Sequence, residues 1–378
     1  MGFRLARVVI LLVLAVPVLA QDRAAGVQTA FARAQHLKRG INTSQWFAQT
    51  GEYSAARINS YTDAQDIALI AKLGFDHVRI SIDPTPLEQN PLGADGLNAE
   101  FMGLLDHAVD TMIRDGLAVE IDLQPTDNYK QQLQNDDNQG DRLATLWREL
   151  ARHYANRDPE RVFFEILNEP WGIDPQRWAG IEAHVAEAIR QVAPRHTIIA
   201  SGANNSDLPD LLAMEPLAEG NVIYNFHFYY PHEFTHQGAV WGLPWWKYTH
   251  SIPYPATESS MQEALKEVPD AADRYQLENY FLDAWDAHHI RMLIDEAAEW
   301  AHVKNVPLIC DEFGAYRAHS DPASRANWIH DARTALEADG IGWAMWDYRG
   351  GFGVVTKEDG KPAQVDDLVV KALGLTSR

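Results

Sequence analysis

The 378 residues contain a single cysteine, Cys310. An intramolecular disulfide is therefore excluded, and the fold has to hold by its core alone. Cys310 lies in the apolar run Val306-Pro307-Leu308-Ile309-Cys310 and reads as a small buried hydrophobe. Basic residues are also scarce: 32 Lys and Arg stand against 53 Asp and Glu, a formal charge of −21. A phosphate-binding surface needs a basic patch, so neither nucleic acid nor an anionic membrane is an expected partner. After the first twenty residues no apolar run approaches the roughly 20 residues needed to span a bilayer. No glycine-rich turn follows the first predicted strand, where a dinucleotide fold would carry one; the sequence there is Thr43-Ser44-Gln45-Trp46-Phe47. The histidines are scattered, and the adjacent pair His288-His289 falls in a predicted helix whose neighbouring positions face different ways. No metal and no cofactor are expected.

What is present is an ordinary globular balance, 46% hydrophobic and 22% charged, with an excess of aromatics: twelve Trp and thirteen Tyr. That excess implies a large core, a surface that stacks flat ligands, or both.

Residues 1–20 read as a secretory signal peptide. Arg4 and Arg7 precede an apolar run from Val8 to Val16, Pro17 breaks it, and Val18-Leu19-Ala20 offers small residues before cleavage at Gln21. The run is too short to serve comfortably as an anchor. The expectation is a secreted or periplasmic monomer of residues 21–378, free of the membrane after cleavage.

Eight short β-rich runs recur: 37–42, 77–82, 118–123, 162–167, 197–201, 222–229, 307–312 and 342–347. Amphipathic segments separate them, with helices predicted over 63–72, 99–115, 141–156, 175–192, 277–304, 322–339 and 365–373. Thr62 followed by Gln65 reads as the cap of the first helix, and Gly74 as its stop. Eight strand–helix units in this length predict a single-domain α/β protein, a (β/α)8 TIM barrel. Two stretches break the alternation. Asp127 to Gly140 is polar and reads as an exposed loop. Pro231 to Arg274 is a long Trp-rich insertion after strand 6, whose aromatic content argues against disorder.

In such a barrel, reactive groups come from the C-terminal ends of the strands. Strand 4 ends Asn168-Glu169-Pro170 and strand 7 ends Asp311-Glu312-Phe313-Gly314. Arg79 lies in strand 2; His227 and Tyr229, two apart in strand 6, share a face. Taken singly, each has a plain structural reading: a turn, a rim salt bridge, a buried ion pair, a core histidine. Together they converge on one pocket. Two carboxylates across a cleft are what glycoside hydrolysis requires, one protonated and one ionised. Arg79 and Tyr229 would hold one ionised, Asn168 would bind the neighbouring sugar hydroxyl, and Trp faces would carry the rings.

The segments Arg39-Gly40-Ile41-Asn42, Val78-Arg79-Ile80, Phe164 to Pro170, His227-Phe228-Tyr229, Phe234-Thr235-His236-Gln237-Gly238, Asp311-Glu312-Phe313-Gly314 and Trp346 resemble glycoside hydrolase family 5, from strand 1 to strand 8. The resemblance implies a retaining hydrolase of β-glycosidic bonds, with Glu169 as acid/base and Glu312 as nucleophile. It places Arg79, Asn168, His227, Tyr229 and Trp346 around the bond to be cleaved. Trp46 and Trp241 are further candidates for sugar contact. One position departs from the family. Where strand 3 usually ends in His, this chain has Gln124, which can bond a hydroxyl but cannot titrate; Asp122, two residues earlier, is a weaker candidate on the same face. The substrate implied is a polysaccharide or oligosaccharide, with endo-β-1,4-glucanase action first. A β-mannanase, an exo-acting β-glucosidase and a non-catalytic carbohydrate-binding barrel are the alternatives.

Overall fold

Eight parallel strands close into a barrel in sequence order in the computed structural model, which describes residues 21–376. The expected signal peptide, residues 1–20, lies outside the described residues. The strands are β1 (Arg39–Phe47), β2 (His77–Ile82), β3 (Ala118–Leu123), β4 (Val162–Glu165), β5 (Thr197–Ser201), β6 (Val222–Phe228), β7 (Leu308–Phe313) and β8 (Gly342–Met345). Every residue of β2 to β8 is buried. Helices cover the outer face and side chains fill the interior, which explains why these strands read as near-continuous apolar runs.

Long outer helices are fastened to the barrel by buried tryptophans. Trp147 donates its indole N–H to the Ile166 carbonyl at 2.8 Å, and Trp178 donates to Ser201 at 2.9 Å. Each ring adds apolar burial while its one polar atom stays bonded. No described helix is long and apolar enough to cross a membrane.

Residues 21–34 form a helix that the eight-unit reading did not anticipate. Its Ala30, with Leu37 just beyond it, packs on Ala118, Phe163, Ile199, Ile223 and Ile309, closing the N-terminal end of the barrel. The approach is backbone to backbone. A Cβ on Gly220 would lie 2.1 Å from the Arg23 carbonyl oxygen, so only glycine fits there.

Three local expectations are corrected. The 127–140 stretch is not a loop: Asp127–Asn135 is a helix and the next, Asp137–Tyr154, begins inside it. Its polar sequence reflects a helix that buries only Tyr129, Lys130 and Leu133. The cap of the Ala64–Leu73 helix is Asp63 rather than Thr62. Its carboxylate accepts from the Gln65 and Asp66 amides, while Asp66 takes the Asp63 amide in return. The single helix expected over 277–304 is two, Ala271–Leu282 and Ala287–Lys304, the second capped by Asp286.

The insertion after β6 is an ordered strap. It carries helices His232–Thr235 and Glu258–Glu267 and a 3-10 turn at Trp246–Tyr248. Trp245, Trp246 and Tyr254 are buried beneath it, so most of its aromatic content is core.

Candidate active site

Arg79 is the centre around which the C-terminal end of the barrel is organised. The side chain is fully buried on β2. Its Nε and Nη2 grip both oxygens of Glu165 on β4, at 2.5 and 2.8 Å. Nη1 donates to Glu312 Oε1 at 2.7 Å and to Asn42 Oδ1 at 2.9 Å; Nη2 also donates to Asn168 Oδ1 at 2.9 Å. The guanidinium thus spans β1, β2, β4 and β7 with planar donors that a lysine cannot reproduce. Asp122 and Asp311 stand farther off, at 3.3 and 3.8 Å.

Adjacent residues on a strand normally face opposite ways. Asp311 and Glu312 nevertheless both approach Arg79. The register between β6 and β7 slips after Asn225, as does that between β7 and β8 after Cys310. The irregularity sets Glu312 opposite His227 and lets Asp311 turn inward to Asn225. Gly314 then allows the chain to leave the barrel: a Cβ there would meet the Trp346 carbonyl oxygen at 2.4 Å.

His227 stands between the two glutamates. Its Nδ1 lies 2.9 Å from Glu169 Oε1 and 3.6 Å from Glu312 Oε2. An oxygen of Glu169, an oxygen of Glu312 and this ring nitrogen all fall within 4.8 Å of one another. Tyr229 donates its hydroxyl to Glu312 Oε2 at 2.9 Å. The Asn168 amide bonds the Leu123 carbonyl at 2.8 Å, which brings Gln124 alongside Asn168 and Glu169. Gln124 is buried and its Oε1 has no partner among the described residues.

The charges are uneven. Burial alone would lower His227, but Glu312, Glu169 and Asp311 outweigh it and push its pKa up to about 9. Burial raises Glu169, yet the hydrogen bond and charge of His227 win and hold it below the usual carboxylate range. Burial raises Glu312 against the pull of His227, Arg79 and the Tyr229 hydroxyl. Burial and Glu165 push Asp311 up to about 7 despite Arg79. These groups include the donor types of a cation site, but Arg79 and His227 already bond to Glu165, Glu312 and Glu169 among them.

The aromatic candidates separate. Trp346 sits partly buried on the rim after β8, its amide bonded to Phe313 at 2.9 Å. Trp241 is 45% exposed and meets Tyr316 edge-on at 4.8 Å. Tyr316 contacts Phe352 at 5.6 Å, and Phe352 contacts Tyr229 at 5.9 Å, so an aromatic line runs from Glu312's partner to the exposed indole. Trp46 does not join this surface. β1 continues past Asn42 to Phe47, and Trp46 is buried in the core with its indole donating to the Ile58 carbonyl at 2.8 Å. Its place beside a strand end suggested sugar contact; the longer strand turns it outward under the Ala55–Tyr61 helix.

The Phe234–Gly238 segment serves as a brace. Thr235 donates to the Tyr229 carbonyl at 2.6 Å, and Gln237 accepts from the Ile252 amide at 2.8 Å. His236, pushed down to about 3 by burial, is a neutral ring packed on Trp246 and Tyr229. Several neighbours in and around this cluster were not singled out from sequence: Asn42, Glu165, Asn225, Tyr316, Phe352 and the half-exposed Trp171, two residues after Glu169. For Glu165 the signal was there, an acid inside an apolar strand with an unpaired arginine two strands away.

The sequence profile described as cellulase, glycosyl hydrolase family 5, matches residues 38–351. Endoglucanase C of Acetivibrio thermocellus is 30% identical over 332 residues, which cover 86% of this chain and 95% of that protein. The crystal structure of endoglucanase Cel5A from Thermotoga maritima superposes with a TM-score of 0.71 at 26% identity, covering 91% of this chain and 99% of that one. A Thermotoga maritima Cel5A structure in complex with mannotriose gives 0.70 at 26% identity, with the same coverage. The barrel, the strand-end glutamates and these matches agree: the chain belongs to glycosyl hydrolase family 5, the cellulase family.

Proposed function

We propose that the protein is an endo-β-1,4-glucanase acting with retention, Glu312 being the nucleophile and Glu169 the acid/base. The carrying observation is the approach of Glu169 and Glu312 oxygens to within 4.8 Å, around His227. Carboxylates about 5–5.5 Å apart act through a covalent glycosyl-enzyme, whereas inversion needs about 6.5–9.5 Å to admit a water. The endoglucanase relatives support the substrate and the endo mode.

Each residue then has a task. Arg79 and Tyr229 donate to Glu312 and stabilise its ionised form for attack on the anomeric carbon. His227 carries the proton in the open cleft and Glu169 its counter-charge. A sugar that displaces water favours the neutral pair, so the proton passes along the 2.9 Å line to Glu169 and on to the leaving oxygen. Glu169 then takes a proton from the water that releases the glycosyl-enzyme. Asn168, oriented by Arg79, is set to bond the hydroxyl next to the reacting carbon.

Export by the 1–20 segment belongs to this reading, since a polysaccharide has to be met outside the cytoplasm; N-terminal sequencing of the mature protein checks it. The catalytic assignment is tested with an activated aryl β-cellobioside. Glu312→Gln should abolish turnover. Glu169→Ala should keep a fast first step and lose the second, with azide restoring turnover as a β-glycosyl azide. Wild-type rates in both variants would overturn the assignment. Product sizing on soluble β-glucans and mannans tests the substrate.

A further inference from the structure

Lys130 is an unusual residue for its position. It lies in the first turn of the Asp127–Asn135 helix and is only 5% exposed. Among the described residues its ammonium has no hydrogen-bond partner and no carboxylate within ion-pair distance. The stem is packed into the fold, the ammonium nitrogen is not among the sealed partnerless atoms, and a cation in the first turn opposes the helix dipole.

The helix that holds it is fixed to the loop that carries Glu169. The Asp174 amide donates to Gln134 at 2.8 Å, and Arg177 Nε donates to the Leu133 carbonyl at 2.7 Å. At its start, the same helix follows Gln124, whose buried Oε1 has no partner among the described residues and whose neighbour Leu123 accepts from the Asn168 amide. β3 and β7 stand on opposite sides of the eight-stranded barrel. An acid at Glu169 faces the departing partner, and the helix bonded to the loop after Glu169 flanks it from the β3 side. The Lys130 charge also reaches the Glu169 carboxyl, where it helps to hold it down.

We propose that Lys130 is a substrate-binding residue on the leaving-group side of the scissile bond, its ammonium donating to hydroxyl oxygens of the departing sugar beside Gln124. The inference rests on the assignment of Glu169 as the acid/base. It concerns a positional role in which binding energy is gained only when a sugar occupies that side.

The test compares two substrates that differ in this respect: a β-1,4-glucotetraose, which places sugars on the leaving side, and 2,4-dinitrophenyl β-cellobioside, which does not. Lys130→Met keeps the apolar stem and removes the charge; Lys130→Arg keeps the charge. Lys130→Met should lose about tenfold or more in kcat/KM on the tetraose, the worth of a charged hydrogen bond. On the aryl cellobioside it should stay within about twofold of wild type. Lys130→Arg should recover most of the tetraose activity, which a purely packing role would not predict. Equal losses on both substrates, or no loss on the tetraose, would overturn the proposal. Glu169→Ala assayed on the aryl substrate with and without azide reports separately on the acid/base assignment: if azide restores no turnover, the underlying reading fails whatever Lys130 does.

Discussion

His227 Nδ1 and Glu169 Oε1 are joined at 2.9 Å, and one proton serves both. The His227 pKa is raised from 6.5 to about 9, chiefly because Glu312 and Glu169 overcome the effect of burial. The pair therefore keeps its proton through neutral pH and loses it near pH 9. His227→Asn should move the alkaline limb of kcat/KM on oligosaccharides to lower pH, because Glu169 alone must then hold the proton. The sign for stability follows the same group. A histidine raised on folding contributes stability that is complete below pH 6.5 and lost as pH rises through about 9. Melting temperatures across that window should fall in the wild type and change less in His227→Asn.

Glu120 lies on β3 opposite Arg79 in the register, fully buried, with neither carboxyl oxygen bonded among the described residues. Burial first, then the charges of Asp311 and Glu165, raises its pKa well above 4.5. The unfolded chain ionises it and the folded chain keeps it neutral. Folding thus takes up a proton, at a cost that is absent below pH 4.5 and grows above it. Glu120→Gln should remove that cost. Urea denaturation should show the variant at least as stable as wild type at neutral pH, and less stable relative to it in acid.

Trp46 and Trp241 should give opposite phenotypes. Trp46→Ala removes a buried ring and its bond to Ile58, and should lower unfolding stability by about 3–5 kcal/mol in urea titrations. Trp241→Ala removes a ring that is 45% exposed at the end of the aromatic line. It should leave stability nearly unchanged and raise KM for long β-glucans several-fold, with an aryl cellobioside little affected. A KM effect at Trp46 or a stability loss at Trp241 would reverse the placement of the two rings.

The barrel was legible in the sequence because its strands are apolar on both faces and end in polar punctuation. Glu169 and Glu312 stood out only in conjunction: each alone reads as a turn or a rim salt bridge, but with Arg79, His227 and Tyr229 they fall at one end of the same barrel. Arg79 was legible as a site residue but not as the hub it is. Its partners Glu165 and Asp311 come from β4 and β7, and the slip that turns Asp311 inward leaves no sequence mark. The Asp127–Asn135 helix was missed because two of its three buried side chains, Tyr129 and Lys130, are polar-tipped, so no apolar period appears. Trp46 was misplaced by an underestimated strand: ending β1 at Asn42 rather than Phe47 puts the indole on the rim instead of in the core.

The helix of residues 21–34 covers the end of the barrel opposite the catalytic mouth. A tether attached at residue 21 would therefore leave the molecule from its rear. An enzyme immobilised there would be held with its mouth outward, facing an insoluble polymer rather than the support. The same tether on the 231–274 strap would start beside Trp241, at the outer end of the aromatic line that leads through Tyr316 and Phe352 to Tyr229.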